Sequence, residues 1–213
     1  MRIVYLHQYF ATPDMAGGTR SYEMGRRLVA AGHEVHMVTA RQDGEGGGWT
    51  ETVEAGMHVH WCSVPYSNHM SFRRRIKAFL DFAWRAARRT AHIPCDVVFA
   101  TSTPLTIALP AAYGAWRQSA PMVFEVRDLW PEAPIVMGAL RRRLPIALAR
   151  GLERFAYNRA AHVVALSPEM KDGVVAAGYP DACVSVIPNS CDRELFDIAH
   201  EAGTDRKSVV KGK

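Results

Sequence analysis

The chain has 213 residues, 48% hydrophobic and 22% charged, a length and balance that fit one sizeable globular α/β domain and exclude a disordered chain. The net charge of +5 is local: residues 205–213 hold four of the 26 basic and one of the 21 acidic residues, so the rest carries only +2, a weak global claim on nucleic acid. No run reads as a secretory leader or is long enough to span a bilayer, and the four cysteines show no metal-ligand spacing.

The chain opens on an apolar strand, residues 3–6, followed by a long loop. The loop closes on Gly17-Gly18-Thr19 at the mouth of a helix over 21–31. Backbone N–H groups and the dipole at such a helix start favour a negative or strongly polar ligand. Paired glycines leave room for its approach. The loop lacks the G-x-G-x-x-G dinucleotide fingerprint, so a plain strand-to-helix turn is the competing reading. Gly32 is placed to end the helix, and a strand over 35–39 follows.

Residues 44–48 form a glycine-rich turn. Two short strands, 51–54 and 57–64, then predict a hairpin at the sheet edge. His58, His60 and Cys62 recur with period two, which reads as one strand face and not as a metal site. A helix over 72–89 comes next. Phe72, Ile76, Phe79, Leu80, Ala83 and Ala87 give it an apolar stripe, expected to dock on the sheet. Residues 73–89 carry seven basic residues, including Arg73, Arg74, Arg75 and Lys77, against Asp81 alone. This basic face is either a solvated surface or an attachment site for an anionic membrane, with Phe72 and Trp84 near the headgroups. Arg141-Arg142-Arg143 forms a second basic group. No helix-turn-helix or RNA-binding signature supports nucleic acid as the partner.

The remainder alternates. Strands are predicted at 97–101, 122–126, 162–166 and 184–187, and helices at 104–116, 144–158 and 168–177. Thr103-Pro104 and Ser167-Pro168 each read as an N-cap followed by proline at the first helical position. Strands separated by helices predict a Rossmann-like parallel sheet with helices on both faces. Thr101, Ser102, Thr103 and Ser167 fall at its carboxyl edge, where open α/β sheets bind ligands.

Four segments in this order resemble the N-terminal half of a retaining, family-4-type glycosyltransferase of two Rossmann-like domains (the GT-B architecture). They are Gly17-Gly18-Thr19, Gly32-His33-Glu34-Val35, the strand 121–126 with Arg127-Asp128-Leu129-Trp130-Pro131-Glu132, and Val186-Ile187-Pro188-Asn189. The 127–132 run is similar to a bacterial subgroup that builds surface polysaccharide, including O-antigen N-acetylfucosaminyltransferases and colanic-acid glycosyltransferases. The resemblance covers about residues 1–198.

The resemblance implies an acceptor-side domain over 1–198 and a nucleotide-sugar donor held by a second domain. Only the tail 199–213 is left for that domain, and no E-x₇-E pair of donor domains is present. The expectation is half an enzyme, inactive alone. Gly17, Gly18 and Thr19 would face the donor phosphate or sugar, with Thr101, Ser102, Glu132 and Asn189 as further binding candidates. Arg127 stands where many relatives have a histidine. An arginine stays protonated and only donates, which suits phosphate. Arg127 and Asp128 are the catalytic candidates, against a plain ion pair fixing the loop. Trp130 and Glu132 also fit a core residue and a helix-start acid.

The implied acceptor is a saccharide on a polyprenyl pyrophosphate. It gives the 73–77 basic residues an anionic membrane surface or a pyrophosphate to contact. The implied location is cytoplasmic, peripheral at the inner face of the plasma membrane. No redox cofactor or metal is implied, and no Asp-x-Asp pair occurs. A non-catalytic subunit with a separate donor partner, and an unrelated Rossmann-like sugar-nucleotide enzyme, remain as alternatives.

Overall fold

The computed structural model describes residues 1–41, 48–66, 70–138 and 140–190. Most of the glycine-rich turn 44–48 and all of the tail 199–213 lie outside these residues. The strands are β1 (Arg2–Leu6), β2 (Glu34–Arg41), β3 (Trp49–Glu54), β4 (Met57–Ser63), β5 (Val97–Thr101), β6 (Met122–Val126), β7 (His162–Ala165) and β8 (Val184–Val186). The helices are α1 (Arg20–Ala30), α2 (Phe72–Thr90), α3 (Ala108–Gln118), α4 (Glu132–Val136), α5 (Arg143–Arg159) and α6 (Pro168–Ala176).

The strands form one sheet in the order β3-β4-β2-β1-β5-β6-β7-β8. Every pairing is parallel except β3 with β4, the expected edge hairpin. Right-handed crossovers explain the layers. The chain moves from β1 outward to β2 through α1, and from β4 back across to β5 through α2. The two helices therefore lie on opposite faces. The steps through α3 and α5 continue in α2's direction and join its face, where α2 packs on α3 and α3 on α5. Alternation along β1 feeds both cores. Val4 and Leu6 join Phe82, Ala86, Ile107 and Phe124, while Tyr5 joins Val35, Met37, Met57 and Val59.

Local signals set several boundaries. Gly32, at φ +83°, ends α1, and His33 N–H reaches back to Leu28 O at 3.1 Å. Ser167 Oγ accepts from Met170 N–H at 3.2 Å and caps α6, with Pro168 at the first helical position. The matching expectation at Thr103-Pro104 fails. Thr103 makes no cap and sits at φ +97°, its hydroxyl turned to Asp128 Oδ2 at 3.4 Å. A 3-10 turn, Leu105–Ile107, intervenes before α3 begins at Ala108. The short helix α4 was not predicted.

α2 also departs from its predicted docking stripe. Ala83 is buried as expected, but its buried companions are Ala78, Phe82 and Ala86, whereas Ile76 and Leu80 of the stripe face outward with Trp84. Beyond its C-terminal end, the β2 and β4 histidines line up. The His36 ring stacks on those of His58 and His60, with centroids 5.0 and 5.4 Å away.

Candidate functional site

The site grows from one buried carboxylate. Glu125, on β6, has no solvent exposure, and a charge so placed needs partners. Arg20, at the start of α1, donates from Nε to Glu125 Oε1 at 2.9 Å, and Arg127 Nε donates to Oε2 at 3.2 Å. Thr101 Oγ1, at the end of β5, donates to Oε2 at 2.9 Å. Arg127 also reaches Ser21 Oγ at 2.9 Å, and its backbone N–H donates to Ser102 Oγ at 2.8 Å. Tyr5, whose hydroxyl donates to Ser21 Oγ, is fully buried beside this network. Burial, then the nearby Glu125 charge, pushes its phenol up to about 12, so it stays protonated.

Arg20 has a second task. Its Nη1 and Nη2 donate to the carbonyls of Pro188 and Ile187, each at 2.8 Å. One guanidinium thus ties the first turn of α1 to β6 and to the segment leaving β8.

Above this floor opens a cleft of about 1040 Å³ at the carboxyl edge of the sheet. Gly18, Thr19 and Arg20 form one wall, Arg127 and Asp128 another, and Ile187, Pro188 and Asn189 a third. Thr19 precedes α1 without a side-chain capping bond. The cleft therefore combines a helix start, whose backbone N–H groups suit an anion, with three guanidiniums, of Arg20, Arg27 and Arg127, set against the carboxylates of Glu23, Asp128 and the buried Glu125. Asp128 is exposed at its rim and supplies an acceptor for hydroxyl donors.

Among the predicted site residues, Gly18, Thr19, Arg127, Asp128 and Asn189 come together in the cleft. Gly17 is their chain neighbour, at φ +150°. Thr101 and Ser102 are buried beneath it, bonded to the Glu125 carboxylate and to the Arg127 backbone N–H. Arg127 pairs with Glu125 and not with Asp128, which removes the competing reading of a plain Arg127–Asp128 ion pair. Glu132 starts α4 and pairs with Arg150 of α5 at 3.2 Å, outside the cleft lining. Arg73, Arg74 and Lys77 are exposed on α2, and Arg75 lies 5.9 Å from the Tyr66 ring centroid, none of them lining the cleft. Among the described residues, no group of three or more His, Cys, Asp or Glu is placed to hold a metal ion.

Sequence reasoning missed Arg20, Glu125 and His7. A lone carboxylate inside the apolar run 122–126 was a legible signal, because it demands a cation. His7, just past β1, is 3% exposed. Burial, and then the Arg127 charge, lowers its imidazole to about 3.

The two glycines make separable predictions. At Gly17 an added Cβ would stand 3.0 Å from Ala11 Cβ in a backbone region L-residues avoid, so Gly17→Ala is expected to lose about 1 kcal/mol or more in urea unfolding. At Gly18 an added Cβ meets nothing within 4 Å. Gly18→Ala should leave stability unchanged, so any loss of ligand binding measures approach to the backbone. Equal stability losses in both variants would refute this contrast.

Solved structures share the fold. HepE of Anabaena, in complex with UDP-glucose, superposes with a TM-score of 0.55 at 14% identity, over 92% of this chain and 46% of that one. Sucrose-phosphate synthase from Thermosynechococcus elongatus gives 0.59 at 14%, over 91% and 49%. A shorter chain of that synthase gives 0.61 at 11%, over 92% and 93%. The chain spans about half the length of the first two. No curated protein sequence matches it. The glycosyl transferase 4-like domain family matches residues 16–190, which include every wall of the cleft but Pro13. The chain therefore belongs to the glycosyl transferase 4-like domain family.

Proposed function

We propose that this chain is the acceptor-side half of a glycosyltransferase that moves a sugar from a nucleotide-sugar donor, held by a second lobe, to a lipid-linked saccharide in bacterial surface polysaccharide synthesis. The observation that carries the reading is the cleft itself. It sets α1's start, Arg20 and Arg127 around one opening at the carboxyl edge, beside the segment 187–190 that leaves the sheet. HepE, which shares this fold, was solved with a nucleotide sugar.

The chemistry follows from charge. Transfer breaks the bond between the sugar's anomeric carbon and the donor diphosphate, which departs with added negative charge. It forms a bond from that carbon to an acceptor oxygen, whose proton must leave. Fixed donors aimed at the departing diphosphate stabilise that change most. Arg127 and the N–H groups at Gly17-Gly18 are the candidates for this role. Asp128, Thr19 and Asn189 offer hydrogen bonds to sugar hydroxyls. Glu125, Thr101 and Ser102 hold Arg127 from below and are positioning residues.

The lipid-linked acceptor would bring the chain to the inner face of the plasma membrane as a peripheral protein. No described helix is long and apolar enough to cross a membrane.

The test uses the chain with a polyprenyl-pyrophosphate-linked saccharide and a panel of nucleotide sugars. The chain alone should bind the acceptor saturably and transfer nothing. Asp128→Ala should weaken that binding about tenfold, the scale of one charge-assisted contact. Robust turnover by the chain alone overturns the half-enzyme reading. Absence of saturable binding overturns the acceptor role.

A further inference from the structure

A helix that covers a sheet needs one apolar stripe, and α2 has two. Ala78, Phe82 and Ala86 serve the core, yet Leu80 and Trp84 stand 50% and 66% exposed on the other side. The neighbouring helices repeat the pattern. Trp116 of α3 is 66% exposed, and Leu144 and Leu148 of α5 are 71% and 66% exposed. Tyr113, also exposed on α3, has its ring 5.8 Å from that of Trp116. Since α2 packs on α3 and α3 on α5, these side chains share one outer face across three helices. Scattered exposed apolar residues need no explanation, but a set on the outer sides of three packed helices does.

Charge says what the face meets. α2, α3 and residues 141–159 hold fourteen of the 26 Lys and Arg but only Asp81 and Glu153 of the 21 acidic residues. The rest of the chain carries twelve basic and nineteen acidic residues, so it is net negative. Of those cations, Arg85, Arg89 and Arg150 are engaged with Asp81, Glu51 and Glu132. Arg73, Arg74, Lys77, Arg88, Arg117 and Arg141 are exposed around the apolar side chains.

We propose that the outer face of α2, α3 and α5 docks flat on an anionic lipid bilayer, its arginines at the headgroups and Leu80, Trp84, Trp116 and Leu148 inserted at the headgroup–acyl boundary. Basic residues interleaved with Trp and Leu fit that boundary. A nucleic acid would satisfy the arginines and leave the leucines wet. The proposal deepens the function above and rests on its lipid-linked acceptor for a purpose. The orientation suits it. A crossover helix between parallel strands runs opposite to them, so all three helices start at the carboxyl edge. A bilayer against their flanks therefore reaches the carboxyl edge at which the cleft opens, from the face of the sheet opposite α1.

The two contributions separate with salt. Charge attraction is screened within about 3 Å at 1 M salt, whereas apolar insertion persists. The chain should co-sediment with phosphatidylcholine vesicles that contain phosphatidylglycerol and keep part of that binding at high salt. Combined Leu80→Ser, Trp84→Ser and Trp116→Ser should cut partitioning at least about tenfold. Arg73→Glu with Arg74→Glu should remove the preference for phosphatidylglycerol. Bromine on the lipid acyl chains should quench tryptophan emission. Trp84→Phe with Trp116→Phe, a conservative pair that keeps the apolar surface, should retain binding and lose the quench.

No vesicle binding, or binding indifferent to the triple substitution, overturns the proposal. A dimer that the triple substitution abolishes, without vesicle binding, assigns the face to a second copy and overturns it too. Binding of a saccharide pyrophosphate without its lipid tail should be unaffected by the triple substitution. Its absence beside intact vesicle binding would sink the acceptor reading and leave the docking face standing.

Discussion

Glu125→Ala should destabilise the chain by about 3 kcal/mol, the lower end of the cost of stripping one partner from a buried ion pair. Glu125 is wholly buried, and its oxygens take bonds from Arg20, Arg127 and Thr101. Alanine removes the charge and leaves two guanidiniums facing each other. Those side chains are 15% and 17% exposed, so they keep some water, which argues for the lower end of the range. By contrast, Glu23 on α1 is itself 21% exposed and pairs with the more exposed Arg26 and Arg27, so Glu23→Ala strands no buried charge and should cost no more than about 1 kcal/mol. Urea unfolding of both variants makes the comparison. A loss below about 1 kcal/mol for Glu125→Ala would show that the arginines find other partners, and the anchor role would fall.

The same variant tests how the cleft is held together. Arg20 binds Glu125 and the carbonyls of Ile187 and Pro188 with one guanidinium. Loss of Glu125 removes the only one of these partners that is charged. Arg127 then keeps its backbone bond to Ser102 and its side-chain bond to Ser21. Acceptor binding by Glu125→Ala, measured well below its unfolding midpoint, should therefore drop even though Glu125 touches no ligand.

The strands other than the polar edge strand β3 were legible because each is a short, largely apolar run closed by turn residues. The carboxyl edge was legible because strand ends and helix starts are adjacent in the chain. Glu125's partners were not, because Arg20 lies 105 residues away and local pattern carries no such distance. α2 misled for a different reason. Its two apolar stripes share Ala83, and the buried one is completed by Phe82 and by Ala78 and Ala86. Alanines add little hydrophobicity but let a helix approach a sheet closely, so the bulkier stripe read as the core side. At Thr103 a local cap signature lost to a tertiary partner, Asp128.

Acidification is the other large effect: between pH 7 and pH 5 the chain should lose up to about 4 kcal/mol of stability. Two histidines carry it. His7 is held down to about 3 by burial and then by the Arg127 charge. His60 is held down to about 4, by burial first and then by His36 and His58. The geometry around His60 gives the reason. Its Nδ1 accepts from Arg89 Nη2 at 2.8 Å, and its Nε2 meets His36 Nδ1 at 3.1 Å. His36 Nε2 in turn meets Glu34 Oε1 at 2.9 Å. A neutral His60 fits this chain as acceptor from Arg89 and donor to His36. A proton on Nδ1 would set two donors against each other. Glu51, 3.5 Å from that nitrogen, also pairs with Arg89 and only partly offsets the conflict.

The sign follows from proton counts. Unfolded, both imidazoles titrate near 6.5, while folded they stay neutral to about 4 and 3. From about pH 6.5 down to 4 the unfolded chain therefore binds more protons, and stability falls with pH by up to about 1.4 kcal/mol per unit for each group. It is complete above 6.5 and falls steadily as pH drops toward 4. Glu153, whose carboxyl is raised by burial, opposes this near the acid end of the window. Urea midpoints at pH 7 and pH 5 measure the loss, and His60→Gln should remove roughly half of it while leaving the His7 share. A flat profile over those two units would mean that both folded imidazoles accept protons freely, and the closed environment assigned to them would be wrong.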